Sequence, residues 1–204
     1  MNPDPVFKEG YWWPACIRDK DVSFAFNQLP YATALVPFCK KKGLLIQAGG
    51  CVGLYPIAQS KHFHRVLTFE PDPENHACLT RNVQDRNLQK KVQVSAIALT
   101  ETTGPVKLEK RNYSTHTIGT EGREVSGQSI DQKFQYLEPD AFQLDVEGHE
   151  IYVLKGAIET IRRFRPVIQV EELKTDTGEV RLFLESLNYT AIAGKYGKDR
   201  IYLP

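Results

Sequence analysis

The chain of 204 residues is long enough for one well-filled α/β core and too short for two domains of ordinary size. Its 41% hydrophobic and 25% charged residues exclude a disordered or fibrous protein. A formal net charge of +1, from 26 basic and 25 acidic residues, gives no overall field that draws the chain to nucleic acid or anionic lipid.

Residues 1–30 mix Pro3, Pro5, Pro14 and Pro30 with Phe7, Tyr11, Trp12, Trp13, Phe24 and Phe26, a composition of irregular chain held by large apolar anchors. The Tyr11-Trp12-Trp13 cluster reads as a hydrophobic clamp over the domain edge, with the wall of a substrate pocket as the alternative. A short helix is expected over 31–42, where Lys40-Lys41-Lys42 suit a last turn and Gly43 follows. The apolar run Leu44-Leu45-Ile46 predicts a strand that breaks into glycines, and a helix resumes near Leu54 with Pro56 tolerated in its first turn. A second buried strand, 66–69, stops at Glu70-Pro71. Asp72 then caps a helix that opens at Pro73 and buries Leu79 and Val83.

A third strand is expected over 92–99, followed by a turn at Thr102-Thr103-Gly104 and the short apolar stretch Val106-Lys107-Leu108. Residues 109–128 are polar, glycine-rich and without periodicity, which predicts an exposed loop near the site. A fourth strand over 141–146 runs straight into Glu147-Gly148-His149-Glu150. Ile151, Leu154, Ile158 and Ile161 recur at helical spacing, with Gly156 placed to kink or split the helix. After Arg165-Pro166, a fifth strand over 167–170 ends in Glu171-Glu172. A helix over 177–187 and two short strands near 189–192 and 200–203, joined by a turn at 194–197, complete the chain.

Strands alternating with helices at this spacing imply a Rossmann-like α/β fold with a mainly parallel sheet and an antiparallel hairpin at one edge. The expectation is a single domain, 1–204, in which 44–204 form the core and 1–43 cap its substrate side. The four cysteines, Cys16, Cys39, Cys51 and Cys78, contain no Cys-x-x-Cys pair, so neither a zinc site nor a disulfide framework is indicated and a reducing, cytoplasmic setting fits. No apolar run reaches the ~18 residues of a membrane helix, and the start, Met-Asn-Pro-Asp-Pro, has no secretory character.

In an open parallel sheet, ligands bind beyond the carboxyl ends of the strands. The first strand ends in Gln47-Ala48-Gly49-Gly50-Cys51-Val52-Gly53. Missing side chains there admit a ligand to the backbone and permit positive φ, although a tight turn alone also asks for glycine. The second strand ends in Glu70, a carboxylate able to accept from both hydroxyls of a ribose. A dinucleotide fingerprint places glycines at offsets 0, 2 and 5, and from Gly49 those later positions hold Cys51 and Leu54. The spacing therefore disfavours a nicotinamide cofactor and suits an adenosine ligand without pyrophosphate, such as S-adenosylmethionine.

The stretch from Gln47 to Tyr55, Phe69-Glu70-Pro71, Asn82, Ser129-Ile130-Asp131 and above all Leu144-Asp145-Val146-Glu147-Gly148-His149-Glu150 with Val153-Leu154-Lys155-Gly156-Ala157 resemble the FkbM family of methyltransferases, over roughly 44–172. The resemblance implies a class I methyltransferase fold with a mainly parallel seven-stranded sheet and helices on both faces. It also implies S-adenosylmethionine as donor, S-adenosylhomocysteine as product, and O-methylation of a sugar or small-molecule hydroxyl. Two positions depart from the family: Gln47 stands where an acidic residue is usual, and Cys51 where asparagine is usual. The glutamine amide can still hydrogen-bond the donor's amino or carboxylate end. Cys51 reads as a small packed residue rather than a nucleophile.

The expected donor site is thus Gln47, Gly49, Gly50, Cys51, Val52, Gly53, Glu70, Pro71 and Asp145, with Ala96 and Ile97 flanking the adenine. Asp145, Glu147 and His149 are the candidate catalytic residues, one of them to take the acceptor's proton. Alternatively, Asp145 binds donor or loop backbone while Glu147 and Glu150 complement a helix N-terminus. His116 is a further candidate base. A divalent metal held by Asp145 with Glu171-Glu172 is conceivable but not favoured. A small-molecule or glycan acceptor is expected, with no nucleic acid and no membrane as partner. The rival readings are a non-catalytic module that kept the fold, and a nicotinamide-dependent oxidoreductase.

Overall fold

The computed structural model describes residues 4–111, 116–172, 178–192 and 199–204. It opens with the antiparallel hairpin β1 (Val6–Lys8) and β2 (Tyr11–Trp13), then α1 (Asp19–Gln28) and two 3-10 helices, Leu29–Thr33 and Val36–Phe38. The alternating core follows: β3 (Leu44–Ala48), α2 (Leu54–Gln59), β4 (Arg65–Phe69), α3 (Pro73–Asp85) and β5 (Val92–Ser95). Next come β6 (Ala98–Leu99), β7 (Gly104–Lys110), β8 (His116–Gly119) and β9 (Arg123–Gln128), then α4 (Ile130–Lys133), β10 (Ala141–Leu144), α5 (Glu150–Lys155), α6 (Ile158–Phe164) and β11 (Val167–Glu171). The chain closes with α7 (Glu179–Ser186), β12 (Thr190–Ala191) and β13 (Asp199–Leu203). Among the described residues, no helix is long and apolar enough to cross a membrane.

The main sheet has seven strands in the order β12-β13-β11-β10-β3-β4-β5. It is parallel from β11 to β5, and β13 is antiparallel to both of its neighbours. This is the class I methyltransferase arrangement. On one face Ile46, Phe69, Phe142, Leu144, Ile168 and Val170 bury against Leu154, Ile161 and Leu184 of α5, α6 and α7. On the other, Leu45, Val66, Ala141 and Val167 pack on Leu35, Ile57, Leu79 and Val83. Burial on both faces is why these strands read as continuous apolar runs.

Because side chains alternate along a strand, moving two residues toward the strand ends on this second face gives a row of buried polar groups in register: Thr68, Gln47, Gln143 and Gln169. They bond to one another and to the 3-10 segment above, with Gln169 Oε1 left without a partner among the described residues. Thr68 donates to Gln47 Oε1, Gln143 Nε2 donates to the Ala32 carbonyl at 2.8 Å, and Gln169 Nε2 donates to the Tyr31 carbonyl at 3.1 Å. One further step along the strands gives Glu70, Gly49, Asp145 and Glu171, with Asp199 opposite Glu171 across the antiparallel pair. The fold thus sets a row of acids, interrupted by a glycine, along the end of the sheet where ligands enter.

Four expectations are corrected. The first thirty residues are not irregular, since they form the hairpin and α1. The helix expected over 31–42 is replaced by the two 3-10 turns, with Pro30 and Pro37 in their first turns. The third strand splits: β5 stays in the main sheet while β6 leaves to pair with β9. The loop expected over 109–128 largely belongs to a second, four-stranded sheet, order β6-β9-β7-β8. Its strands carry few buried side chains, with Leu108 alone buried in β7, so they lack the apolar alternation that marks a strand in sequence. Gly156 does split its helix, capping α5 before α6 begins. The turn expected at 194–197 lies outside the described residues.

Candidate functional site

The loop after β3 is folded by close approach. Gly49 has φ +83°, and a Cβ there would collide with the Asp145 carbonyl oxygen. A Cβ on Gly50 would sit 2.7 Å from both Leu79 Cδ2 and Thr68 Oγ1. Their N–H groups both donate to the Phe69 carbonyl, at 3.1 and 3.0 Å. Cys51 follows with φ +45°, a left-handed conformation in which asparagine is the non-glycine residue most at ease. This gives the asparagine usual at this position a backbone reason. Burial and the neighbouring Glu70 push the Cys51 thiol well above its ordinary pKa, which suits a packed residue and not a nucleophile. Gly53, at φ +101°, starts α2.

Glu70 is buried at the end of β4. Its Oε2 accepts from the Cys51 N–H at 2.7 Å and its Oε1 from the Asp72 N–H at 2.9 Å. Burial pushes its carboxyl up to about 7, against the pull of those two N–H groups. Asp72 caps α3 by accepting from the Glu74 and Asn75 N–H groups at 3.1 and 3.0 Å. Beside Glu70 lies a cavity floored by Gly49, Pro71 and Ile97 and roofed by Leu108, His116 and Ile118 of the second sheet.

The turn after β10 explains the Asp-Val-Glu-Gly-His-Glu block residue by residue. Glu147 and Gly148 both take positive φ, +56° and +95°. Such a turn is costly for glutamate and is held by Glu150, whose Oε1 accepts from the Val146 and Gly148 N–H groups at 2.9 and 3.3 Å. Burial pushes Glu150 up to about 7 as well. His149 stacks on Tyr152 at 4.6 Å. Its Nε2 is buried without a hydrogen-bond partner, and burial lowers its pKa to about 4, so it is neutral near pH 7.

Asp145, Glu147 and Gly49 line both this cavity and a second, larger one. The second cavity is walled by Trp13, Phe24, Tyr55, Glu171 and Asp199. Oxygens of Asp145, Glu147 and Glu171 lie within 4.8 Å of one another, a set of hard ligands that can hold a divalent cation. Burial, then Glu171, Asp199 and Glu147, raise Asp145 well above the ordinary carboxyl range. Glu172 is not part of this group: Tyr202 donates to it at 2.6 Å and Arg200 pairs with it at 3.0 Å.

The structure therefore brings Gly49, Gly50, Cys51, Val52, Glu70, Pro71, Ile97, Asp145, Glu147 and His149 to the two cavities. Gln47, Gly53 and Ala96 line neither. The Gln47 amide turns inward, its Nε2 donating to the Ala48 and Gly49 carbonyls at 3.2 and 3.0 Å, so it braces the loop from beneath. The sequence reading missed Asp199, Tyr55 and the roof residues Leu108 and Ile118, and it named His116 as a candidate base without placing it over Glu70. Asp199 was findable, because an antiparallel last strand brings its first residue, not its last, to the ligand end of the sheet. The two readings of Tyr11-Trp12-Trp13 divide by residue. Arg86 and Arg81 cover the Tyr11 and Trp12 rings at 4.0 and 3.3 Å, while Trp13 walls the second cavity.

The sequence profile of the methyltransferase FkbM domain matches residues 47–191. Hexuronic acid methyltransferase AglP of Haloferax volcanii is 26% identical over 145 residues, covering 68% of this chain and 60% of that protein. Among solved structures, the methyltransferase FkbM from Methylobacillus flagellatus KT matches with a TM-score of 0.64 at 20% identity, over 85% of this chain and 48% of that one. A precorrin-6y C5,15-methyltransferase from Geobacter metallireducens matches with a TM-score of 0.53 at 12% identity, over 84% and 83%. The chain thus spans about half to three fifths of the length of its FkbM and hexuronic acid relatives. Its matched stretch holds the glycine loop, Glu70 and the whole Asp-Val-Glu-Gly-His-Glu turn, and the chain belongs to the methyltransferase FkbM domain family.

Proposed function

We propose that this protein is an S-adenosylmethionine-dependent methyltransferase acting on a hydroxyl of a sugar or glycan. The carrying observation is the pair of cavities meeting at Gly49, Asp145 and Glu147, one beside a buried strand-end glutamate and the other walled by aromatic rings and carboxylates. Glu70 has lone pairs left after its two backbone contacts and can accept from the ribose hydroxyls. The close-packed Gly49-Gly50 backbone leaves room for a donor passing from one cavity to the other. When bound, the donor supplies a methyl group already activated on a sulfonium, so the chain's own task is to align the acceptor and take its proton.

Asp145 is best placed for that proton, standing in both cavities with its affinity for protons raised by burial and neighbouring acids. The neutral, low-pKa His149 is a weaker acceptor and more useful for shape. Phe24 and Tyr55 give the second cavity ring surfaces on which sugars stack, and the sugar substrate named for the Haloferax relative supports that acceptor class. Residues 1–43 supply Trp13, Phe24 and Gln28 to this wall, in line with a substrate-side cap on one domain.

The test is transfer from methyl-labelled donor to a panel of neutral sugars, glycans and hexuronic acids. Label that stays on the acceptor through mild alkali is expected, since ethers survive it. Label released as methanol would mean a carboxyl ester and would overturn the hydroxyl assignment.

A further inference from the structure

The second sheet has no place in the reading so far, yet it closes the cavity beside Glu70. We infer that His116, delivered by the edge strand β8, is a donor-binding residue that contacts the adenosine half of the donor; this rests on the donor reading above. His116 is 8% exposed and lines the cavity with Glu70, Pro71 and Ile97. Its Nε2 is buried and meets no acceptor in hydrogen-bonding geometry. The nearest charge, Asp72 Oδ2, lies 3.4 Å away, a long ion pair that orients the ring. A buried ring nitrogen with only such a long contact still gains from a well-formed hydrogen bond to an entering group. The cavity it borders is where a nucleoside's hydroxyls and ring nitrogens would enter.

The ring is also held in place. Lys110 stands opposite His116 in the β7–β8 register, and its ammonium pairs with Glu74 in the first turn of α3 at 2.5 Å. The corner of the second sheet is thereby pinned to the same helix start that carries Asp72. Leu108 and Ile118 line the cavity beside His116 from β7 and β8, so the imidazole is the polar group that the second sheet brings to it.

Calorimetry with S-adenosylhomocysteine and with 5′-methylthioadenosine, which lacks the amino-acid half, tests this on the intact chain. His116→Phe keeps the bulk without the nitrogen, and His116→Gln places an amide near the Nε2 position. His116→Phe is expected to weaken both ligands by a similar factor of about ten, with His116→Gln recovering most of the loss. A purely structural role would not be rescued by the amide. Unchanged affinity in His116→Phe, or a loss confined to S-adenosylhomocysteine, would overturn the inference while leaving the donor reading intact. Wild-type protein that binds neither nucleoside would overturn both.

Discussion

Glu70 carries the most specific chemistry of any single residue here. Its buried carboxyl has a pKa of about 7 without ligand, because desolvation outweighs the two N–H groups it accepts from. Ribose hydroxyls donating to it stabilise the charged form and so lower that pKa on binding. The sign follows: donor affinity is full above pH 7 and falls as pH drops through about 7, by up to about tenfold per pH unit. Binding of S-adenosylhomocysteine near pH 6.5 should therefore release a fraction of a proton, read as a dependence of the calorimetric enthalpy on the buffer's ionisation enthalpy. Equal enthalpies in phosphate and imidazole-type buffers would contradict this. Glu150 shares the raised pKa but faces the backbone of its own turn, so it holds the Asp145–Gly148 geometry and has no ligand contact to report.

At the scale of elements, Asn82 joins three pieces of chain. From the middle of α3 it accepts from the Trp12 N–H at 2.7 Å and donates to the Trp12 and Val52 carbonyls at 2.9 and 2.8 Å. It thereby locks the N-terminal hairpin to the loop after β3. Asn82→Ala leaves these groups without their partner and should cost about 2–3 kcal/mol, measured by urea unfolding. A loss under about 0.5 kcal/mol would mean that the ring contacts of Tyr11 and Trp12 with Arg86 and Arg81, with the bonds from Trp12 to Asp85 and from Arg86 to the Gly10 carbonyl, hold the hairpin without it. The core elements were legible in the sequence because strands buried on both faces leave apolar runs, as in Leu44-Leu45-Ile46, and caps leave polar markers, as at Asp72-Pro73. The second sheet was not, because β7, β8 and β9 bury at most one side chain each, such as Leu108 in β7, and carry no clear apolar periodicity. The site was legible where strand ends are acidic or glycine-rich. It was hidden where a side chain comes from a strand running the other way, as Asp199 does, and for His116, read as a candidate base, the sequence did not show that β8 carries it over Glu70.

For the whole molecule, the sheet is built in layers along its strands: an apolar layer, then the buried layer of Thr68, Gln47, Gln143 and Gln169, then the row of acids around Gly49. The glutamine layer is tied to the Ala32 and Tyr31 carbonyls. It thus fixes the 3-10 segment of Tyr31 and Ala32 over the sheet as well as bracing the loop from below, and the acids stand at the meeting point of the two cavities. On this account the donor lies across that meeting point, anchored by Glu70 in the first cavity, and the acceptor enters through the second. The most direct measurement is S-adenosylhomocysteine binding by calorimetry to the wild-type chain and to Glu70→Ala, with thermal melts confirming that both are folded. One ligand per chain, weakened at least tenfold in Glu70→Ala, as loss of charge-assisted hydrogen bonds requires, is the predicted result. Absence of binding to the wild type, or equal binding by the two proteins, would contradict the account.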